Sequence, residues 1–347
     1  MSASLKQMAK RSKSMVIAYR IYDNWRTKKR FHSGNTESMH GSTHSKLTLD
    51  ASLDYIERVF QDYLTYSQLS LDHFRGKKIL EVGPGDNFGV ALKFLAAGAE
   101  QVVCLDKFYS KRNEDQQLSI YKALREKTEG EWRERFDCAI KLGTGLDLNP
   151  DKLRYVHGVG IEESDRWLDR GSFDFIISRA VIQDVYQIDA AFSAMDNLLV
   201  PGGYMLHKID YSDQGMFSSR EMNPLTYLTI PEPVYRLMAV DSGKPNRKLA
   251  SYYRQKSREL NYDARLFVTA IFGQGDLVPH KEKIELNRDY SRATLSLIES
   301  IRPKLTSPFR GLPDEELVAS GGFLIARKPA RSAEPSIATK DGFGYED

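Results

Sequence analysis

Apolar positions along the chain fall into two alternating rhythms. Residues 78–82, 101–106, 154–157, 173–178, 203–209, 263–272 and 322–327 are short, nearly continuous apolar runs of strand length. Between them lie segments with helical spacing. One covers residues 52–71, where Ile56, Val59, Phe60, Tyr63 and Leu64 share a face. Another covers 90–97 and is closed by Gly98, and others follow at 114–136, 188–199, 247–260 and 291–301. Strands alternating with helices predict βαβ units, a mostly parallel sheet and helices on both faces. After Asp210 the periodicity fades for about 35 residues, 211–246, rich in Pro, Asn, Ser and Met. Connections of that length in a compact domain are usually lids or binding segments.

The two ends depart from this pattern. Residues 5–31 read as one helix or a helical pair in which Met8, Met15, Ile17, Tyr19, Ile21, Tyr22 and Trp25 are interleaved with basic residues. Lys6, Lys10, Arg11, Lys13, Arg20, Arg26, Lys28, Lys29 and Arg30 stand against Asp23 alone, a local charge of +8 in a chain of +3, so the remainder carries −5. The basic character is therefore local and does not describe a nucleic-acid-binding face on the main domain. Three readings are open for this helix: its stripe packs on the domain, it rests on an anionic membrane surface, or it is a mitochondrial presequence. Residues 32–46 are polar and irregular, and the tail 330–347 is small, polar and expected to be disordered.

Composition bounds the rest. A chain of 347 residues with 41% apolar and 28% charged residues has an ordinary globular profile. Its two cysteines, Cys104 and Cys138, are too few for a disulfide framework or a cysteine metal site, and fit a reducing, cytoplasmic setting. No run is long and apolar enough for a membrane span, and the first residues lack the apolar core and cleavage site of a secretory signal. We expect a basic helical extension or lid over 1–74, a main domain over 75–329 and a tail beyond.

The strongest chemical signal is Leu80-Glu81-Val82-Gly83-Pro84-Gly85-Asp86-Asn87-Phe88-Gly89, at the end of the first predicted strand and the start of a helix. Glycines there allow a tight turn and close backbone approach to a ligand, and a helix N-terminus offers free N–H groups. Asp106 ends the next strand, where an acid accepts hydrogen bonds from ribose hydroxyls. The third glycine of a dinucleotide loop would fall at Phe88, which argues against NAD.

The order Glu81-x-Gly83-x-Gly85 resembles the first motif of class I S-adenosylmethionine-dependent methyltransferases, and Asp106 the acidic end of their second strand. Ser172-Phe-Asp-Phe-Ile-Ile-Ser178 is similar to their fourth strand, and Leu198-Leu-Val-Pro-Gly-Gly203 to the turn before their fifth. The resemblance covers about residues 75–328. It implies an α/β, Rossmann-like, seven-stranded sheet closed by an antiparallel C-terminal hairpin, with S-adenosylmethionine as cofactor. It also implies that Glu81, Gly83 and Gly85 line the amino-acid end of that cofactor, that Asp106 holds the ribose, and that residues 160–162 flank the adenine. The candidate cofactor set is completed by Asp86, Asn87, Lys107, Ile161, Glu162 and Ser178. The chain departs from the family pattern in three places. The strand-three acid is replaced by Gly158-Val-Gly-Ile-Glu162, the third small loop residue by Asp86-Asn87, and a histidine common after the fourth strand by Asp184. The motif variant and the long insert resemble a branch that modifies bacterial glycans or secondary metabolites.

Methyl transfer needs an oriented acceptor and often removal of its proton. Such groups come from the carboxyl ends of the strands, which nominates Asp184, His207 and Asp210, with Asp213 beyond. His207 is either a general base oriented by an acid or a hydrogen-bonded histidine within its strand. Asp213 is either catalytic or a loop cap. These acids could also hold Mg²⁺, but carboxylates gathered at strand ends commonly hold nothing, and we expect no metal. His40 and His44 either fold over the site in an N-terminal lid or lie in an ordinary polar loop. Arg247 either binds an acidic acceptor or starts a helix. Tyr211, Tyr227, Tyr235, Tyr252 and Tyr253 either offer surface to a ring-shaped acceptor or pack a core. The expected activity is methylation of a hydroxyl on a small molecule, sugar or glycan. An N-methyltransferase and a non-enzymatic, membrane-associated scaffold are the alternatives. Nucleic acid is not an expected partner: the residues after the fourth strand are Ser178-Arg-Ala-Val, not an Asn/Asp-Pro-Pro-Tyr loop.

Overall fold

The computed structural model describes residues 12–38, 41, 43–143 and 145–330. Lys6, Met8, Lys10, Arg11, His40 and the tail beyond residue 330 lie outside the described residues.

An eight-stranded sheet carries the fold. Its strands are β1 (Lys78–Val82), β2 (Gln101–Asp106), β3 (Leu153–His157), β4 (Phe173–Arg179), β5 (Leu199–Asp210), β6 (Asp263–Ile271), β7 (Gly275–Lys281) and β8 (Ala319–Arg327). Their spatial order is β7-β6-β8-β5-β4-β1-β2-β3. The run from β5 to β3 is parallel, whereas β8 is antiparallel to β5 and β6, and β7 to β6. The chain builds outward from β1 to β3 and then returns to the other side of β1 with β4. The carboxyl ends of β1 and β4 thus flank a topological switch point, where ligands bind in such sheets.

The expected α/β architecture is present, with two corrections to its details. The sheet has eight strands rather than seven, because the edge strand β7 has an exposed polar face that leaves little apolar signal. The closing strands β6 and β8 are antiparallel neighbours but not a hairpin. Residues 272–318, holding β7 and helix Arg292–Ile301, run between them.

Helices cover both faces. We number them α1 (Lys13–His32), α2 (Leu49–Ser67), α3 (Gly89–Ala96), α4 (Glu114–Glu126), α5 (Gly130–Ala139), α6 (Ile188–Leu198), α7 (Glu232–Ala239) and α8 (Ala250–Glu259). Thr48 and Asn113 cap α2 and α4 by accepting the N–H of Ala51 and Gln116. The single helix predicted over 114–136 is two, because Gly130 takes φ +52° and redirects the chain. On one face Phe60, Phe94 and Tyr121 from α2, α3 and α4 cover Ile79, Cys104, Phe175 and Ile177. On the other, α6 and the insert cover Leu80, Leu105, Ile176 and Met205. Cys104 is buried and Cys138 exposed, and both are free thiols.

The insert is not an open lid. It contains α7 and buries Met216, Phe217, Leu225, Leu228, Ile230 and Met238. Arg247, 6% exposed, organises it. Its guanidinium donates to the carbonyls of Tyr227 and Ile230, pairs with Glu232 and lies 4.1 Å over the Tyr235 ring. Arg247 therefore binds the insert rather than an acceptor. Tyr211, Tyr227, Tyr235 and Tyr253 are core residues, not acceptor surface. α1 packs on α7 through buried Val16, and buried Asn24 accepts the N–H of Asp241 at 2.8 Å. No helix of the described residues is long and apolar enough to cross a membrane.

Phe74 is fully buried, with its ring stacked 4.3 Å from Phe175 and tilted against Phe94 at 5.0 Å. Phe74→Ala is expected to cost about 3–5 kcal/mol in denaturant unfolding. A loss under 1 kcal/mol would show that this face of the sheet repacks freely.

Candidate active site

A cavity of about 390 Å³ opens at the switch point. Glu81, Gly83, Gly85, Asp86, Asn87, Asp106, Lys107, Ile161 and Glu162 all line it. So does Asp184, from the short helix Ile182–Asp184 after β4. The predicted cofactor residues are thus brought together, Ser178 excepted.

The two glycines of the β1–α3 turn adopt φ +74° and +69°. Their need for a bare Cα comes from protein, not only from ligand. A Cβ on Gly83 would lie 2.3 Å from Val181, and one on Gly85 would lie 2.5 Å from the carbonyl oxygen of Gly41. The turn is therefore clamped between the β4 loop and an N-terminal strap. Asp86, 4% exposed, fastens that strap by accepting the N–H of His44 at 3.2 Å and of Ser45 at 3.0 Å. From α4, Gln116 donates to the His44 carbonyl at 2.6 Å. Gly41, Thr43 and His44 form a wall of the cavity. His44 is thus part of a cover, as one of its two sequence readings had it. Its ring is buried edge-on to Tyr55 at 5.4 Å, with Nδ1 unpartnered, and burial lowers its pKa against the opposing pull of Asp86.

Acidity defines the interior. Glu81 is buried, with the Cys104 thiol, 3.5 Å away, as its one hydrogen-bond partner among the described residues, and burial pushes its pKa up to about 7. Asp106 is likewise pushed up to about 7 by burial; the Arg112 guanidinium and the Gly85 N–H draw it back only in part. Its Oδ2 is buried with no hydrogen-bond partner. Arg112 itself is held away, stacked 4.1 Å over Tyr155 and 4.4 Å over Phe88, and donates to the Gly85 carbonyl at 2.9 Å. Lys107 is engaged with Glu162 at 2.8 Å. Asp184 is also pushed up to about 7 by burial, and Gln214 donates to both of its oxygens at 2.8 and 3.0 Å.

Four predicted residues are elsewhere. His207 and Ser178 face each other on β5 and β4, fully buried, with Ser178 Oγ 2.8 Å from His207 Nδ1. They sit inside the sheet's core and do not line the cavity, and their hydrogen bond joins β4 to β5, which fits the reading of His207 as a hydrogen-bonded core histidine. Burial pushes its pKa down to about 3. Asp210 reaches the tip of β5 as expected, but its carboxylate accepts the Ser212 N–H at 2.7 Å and does not line the cavity. Asp213 is a loop cap, accepting the N–H groups of Gly215, Phe217 and Ser218. Sequence reasoning missed Tyr55, Arg179 and Gln214, which also line the cavity. Of these, only Arg179 carried a signal, as the residue ending β4. Among the described residues no group of three or more His, Cys, Asp and Glu is gathered as a metal site.

Two outcomes follow from this geometry. An unfolded His207 ionises near pH 6.5, whereas the buried ring refuses the proton until about 3. Below pH 6.5 the unfolded state binds more protons, so stability falls with pH, by about 2 kcal/mol at pH 5. His207→Gln should flatten that decline in denaturant titrations at pH 7 and 5; an unchanged slope would assign the acid sensitivity to other groups. Asp86→Ala should release the strap, seen as faster proteolysis within residues 41–48; unaltered cleavage would contradict the fastening role.

Residues 54–257, more than half of the chain, match the family model described as a methyltransferase domain. No curated protein matches. Among solved structures, the chain is similar to phosphoethanolamine N-methyltransferase 2 of Haemonchus contortus in complex with S-adenosyl-L-methionine, at 14% identity and a TM-score of 0.41. That alignment covers 78% of this chain and 52% of the other, so the chain spans about half the length of that enzyme. It is also similar to an S-adenosylmethionine-dependent methyltransferase from Mesorhizobium loti, at 13% identity and a TM-score of 0.38, covering 81% of this chain and 100% of that one. An arsenic(III) S-adenosylmethionine methyltransferase from Chlamydomonas reinhardtii aligns at 18% identity and a TM-score of 0.35, over 74% and 63% of the two chains. On the strength of the match over residues 54–257, the chain belongs to the methyltransferase-domain family.

Proposed function

We propose that this chain uses S-adenosylmethionine to methylate a hydroxyl of a small molecule, with sugars among the acceptors. The observation that carries the reading is a cavity with two carboxylates, buried Glu81 and half-buried Asp106, neither of which forms an ion pair among the described residues, Arg112 acting on Asp106 only through its charge. Such a cavity attracts a sulfonium and an ammonium and repels the pyrophosphate of a dinucleotide. The orphaned Oδ2 of Asp106 is an acceptor awaiting hydroxyl donors, as a ribose supplies. The residues present therefore fit the nucleoside. Glu81 would take its ammonium, Asp106 its ribose, and Ile161 with Glu162 its base. When bound, S-adenosylmethionine supplies a methyl group on an excellent sulfur leaving group.

The chain's own work is positioning, exclusion of water and handling one proton. His44, Tyr55, Arg179, Asp184 and Gln214 leave room for an acceptor in the rest of the cavity. Asp184 is the proton acceptor: its pKa near 7 matches removal of a hydroxyl proton at neutral pH. Gln214 fixes its carboxylate, and the nearby Asp210 charge helps hold its pKa up. The strap carrying His44 covers the reaction from water.

Asp184→Asn is expected to lower turnover about 10²–10³-fold while leaving affinity for S-adenosylhomocysteine within about twofold. The wild-type rate should rise with pH through about 7 as Asp184 ionises, and the variant should lose that rise. Methyl-labelled cofactor with a panel of hydroxylated acceptors, sugars included, reads both. Label carried to amines alone would contradict the hydroxyl assignment, and full activity of the variant would remove Asp184 from the chemistry.

A further inference from the structure

Helix α1 lies outside the stretch matched by the methyltransferase family, and none of its residues lines the cavity. The helix has two unlike sides. The inner side is the one already described: Val16 and Asn24 are buried, Lys13 donates to Thr229 at 2.5 Å, and the helix packs on α7. The outer side presents Met15, Tyr19, Tyr22 and Trp25, each 53–56% exposed. Their spacing of three and four residues makes one continuous stripe along the helix. Four large apolar side chains on one surface stripe are more than scattered exposure, and such patches mark interaction surfaces.

Charge says what kind of surface fits. α1 carries Lys13, Arg20, Arg26, Lys28, Lys29 and Arg30 against Asp23, a net +5. Among the described residues its ion pairs are Arg20 with Asp23 at 3.3 Å and Lys28 with Asp241 at 4.0 Å. Arg26 and Lys29 continue the stripe one turn beyond Tyr22 and Trp25, and Lys29 lies 5.6 Å over the Trp25 ring. In sequence, Lys6, Lys10 and Arg11 extend the basic character, while the chain outside residues 1–31 carries −5. A second copy of this helix would bring like charges together, so self-association through the stripe is disfavoured. An anionic bilayer satisfies both features: headgroups neutralise the basic side chains, and Trp and Tyr settle at the headgroup level. The opposite charge of the rest of the molecule orients it with α1 toward the surface.

We propose that the outer face of α1 docks on an anionic phospholipid surface, lying in its plane with Met15, Tyr19, Tyr22 and Trp25 inserted and Arg26 and Lys29 on headgroups. The docking is peripheral, and it places the strap that follows α1, and the cavity beneath it, close to the bilayer.

The test is flotation of the full chain with vesicles of 30% phosphatidylglycerol in phosphatidylcholine and with pure phosphatidylcholine. The wild-type chain is expected to float only with the anionic vesicles, with a partition coefficient falling at least tenfold in 0.5 M NaCl. Tyr19→Ser/Tyr22→Ser/Trp25→Ser and, separately, Arg26→Glu/Lys29→Glu should each lower it at least tenfold. Their thermal stabilisation by S-adenosylhomocysteine should stay unchanged, because none of these residues lines the cavity. Binding the two vesicle types equally, binding neither, or wild-type affinity in both variants would overturn the proposal. So would a wild-type dimer that the aromatic variant dissociates, or retention by duplex DNA in place of vesicles.

Discussion

A carboxylate taken out of water must find a cation, find hydrogen-bond donors, or give up its charge. In this protein buried Glu81 and half-buried Asp106 stand at the ends of two neighbouring parallel strands, and among the described residues neither forms an ion pair. The Arg112 guanidinium, whose charge draws Asp106 back only in part, is stacked on Phe88 and Tyr155 and committed to the Gly85 carbonyl; Lys107 is committed to Glu162. Both acids accordingly hold their protons to about pH 7. That unmet demand is what a cationic nucleoside would relieve, and most of the surrounding architecture can be understood as maintaining it.

The clamp around the glycine turn is part of that maintenance. Gly83 is pressed by Val181 from the β4 loop, and Gly85 by Gly41 from the strap. Asp86, which the motif position suggests as a ligand contact, instead spends its carboxylate on the backbone of His44 and Ser45. The departure from the usual small residue at this position thus has a structural reason: the side chain ties an N-terminal cover to the cofactor loop. The insert after β5, though poor in periodicity, is gathered around buried Arg247.

Most strands of the sheet and the glycine turn were legible because they depend on local rhythm, whereas the polar edge strand β7 and the long segment between β6 and β8 were not. An apolar run of strand length, a glycine turn and an acid-tipped strand announce themselves within 30 residues. What could not be read was which way a side chain points at a strand tip. His207, Asp210 and Asp184 all sit near carboxyl ends of strands, yet His207 turns into the core toward Ser178, Asp210 caps its own turn, and only Asp184 lines the cavity. The tyrosines of the insert showed the same limit, since aromatic residues serve a surface or a core with equal ease. For α1 the packed reading and the exposed basic-aromatic reading describe opposite faces of one helix.

Calorimetric titration with S-adenosylhomocysteine at pH 6 and pH 8, on the wild-type chain and on Asp106→Asn, tests the central claim most directly. If the nucleoside binds the ionised carboxylates, binding releases protons from groups that titrate near 7. Affinity should then rise about tenfold per carboxylate between those pH values, and Asp106→Asn should lose most of the affinity and part of the pH dependence. Absence of binding, or equal affinity at both pH values in both proteins, would contradict the account.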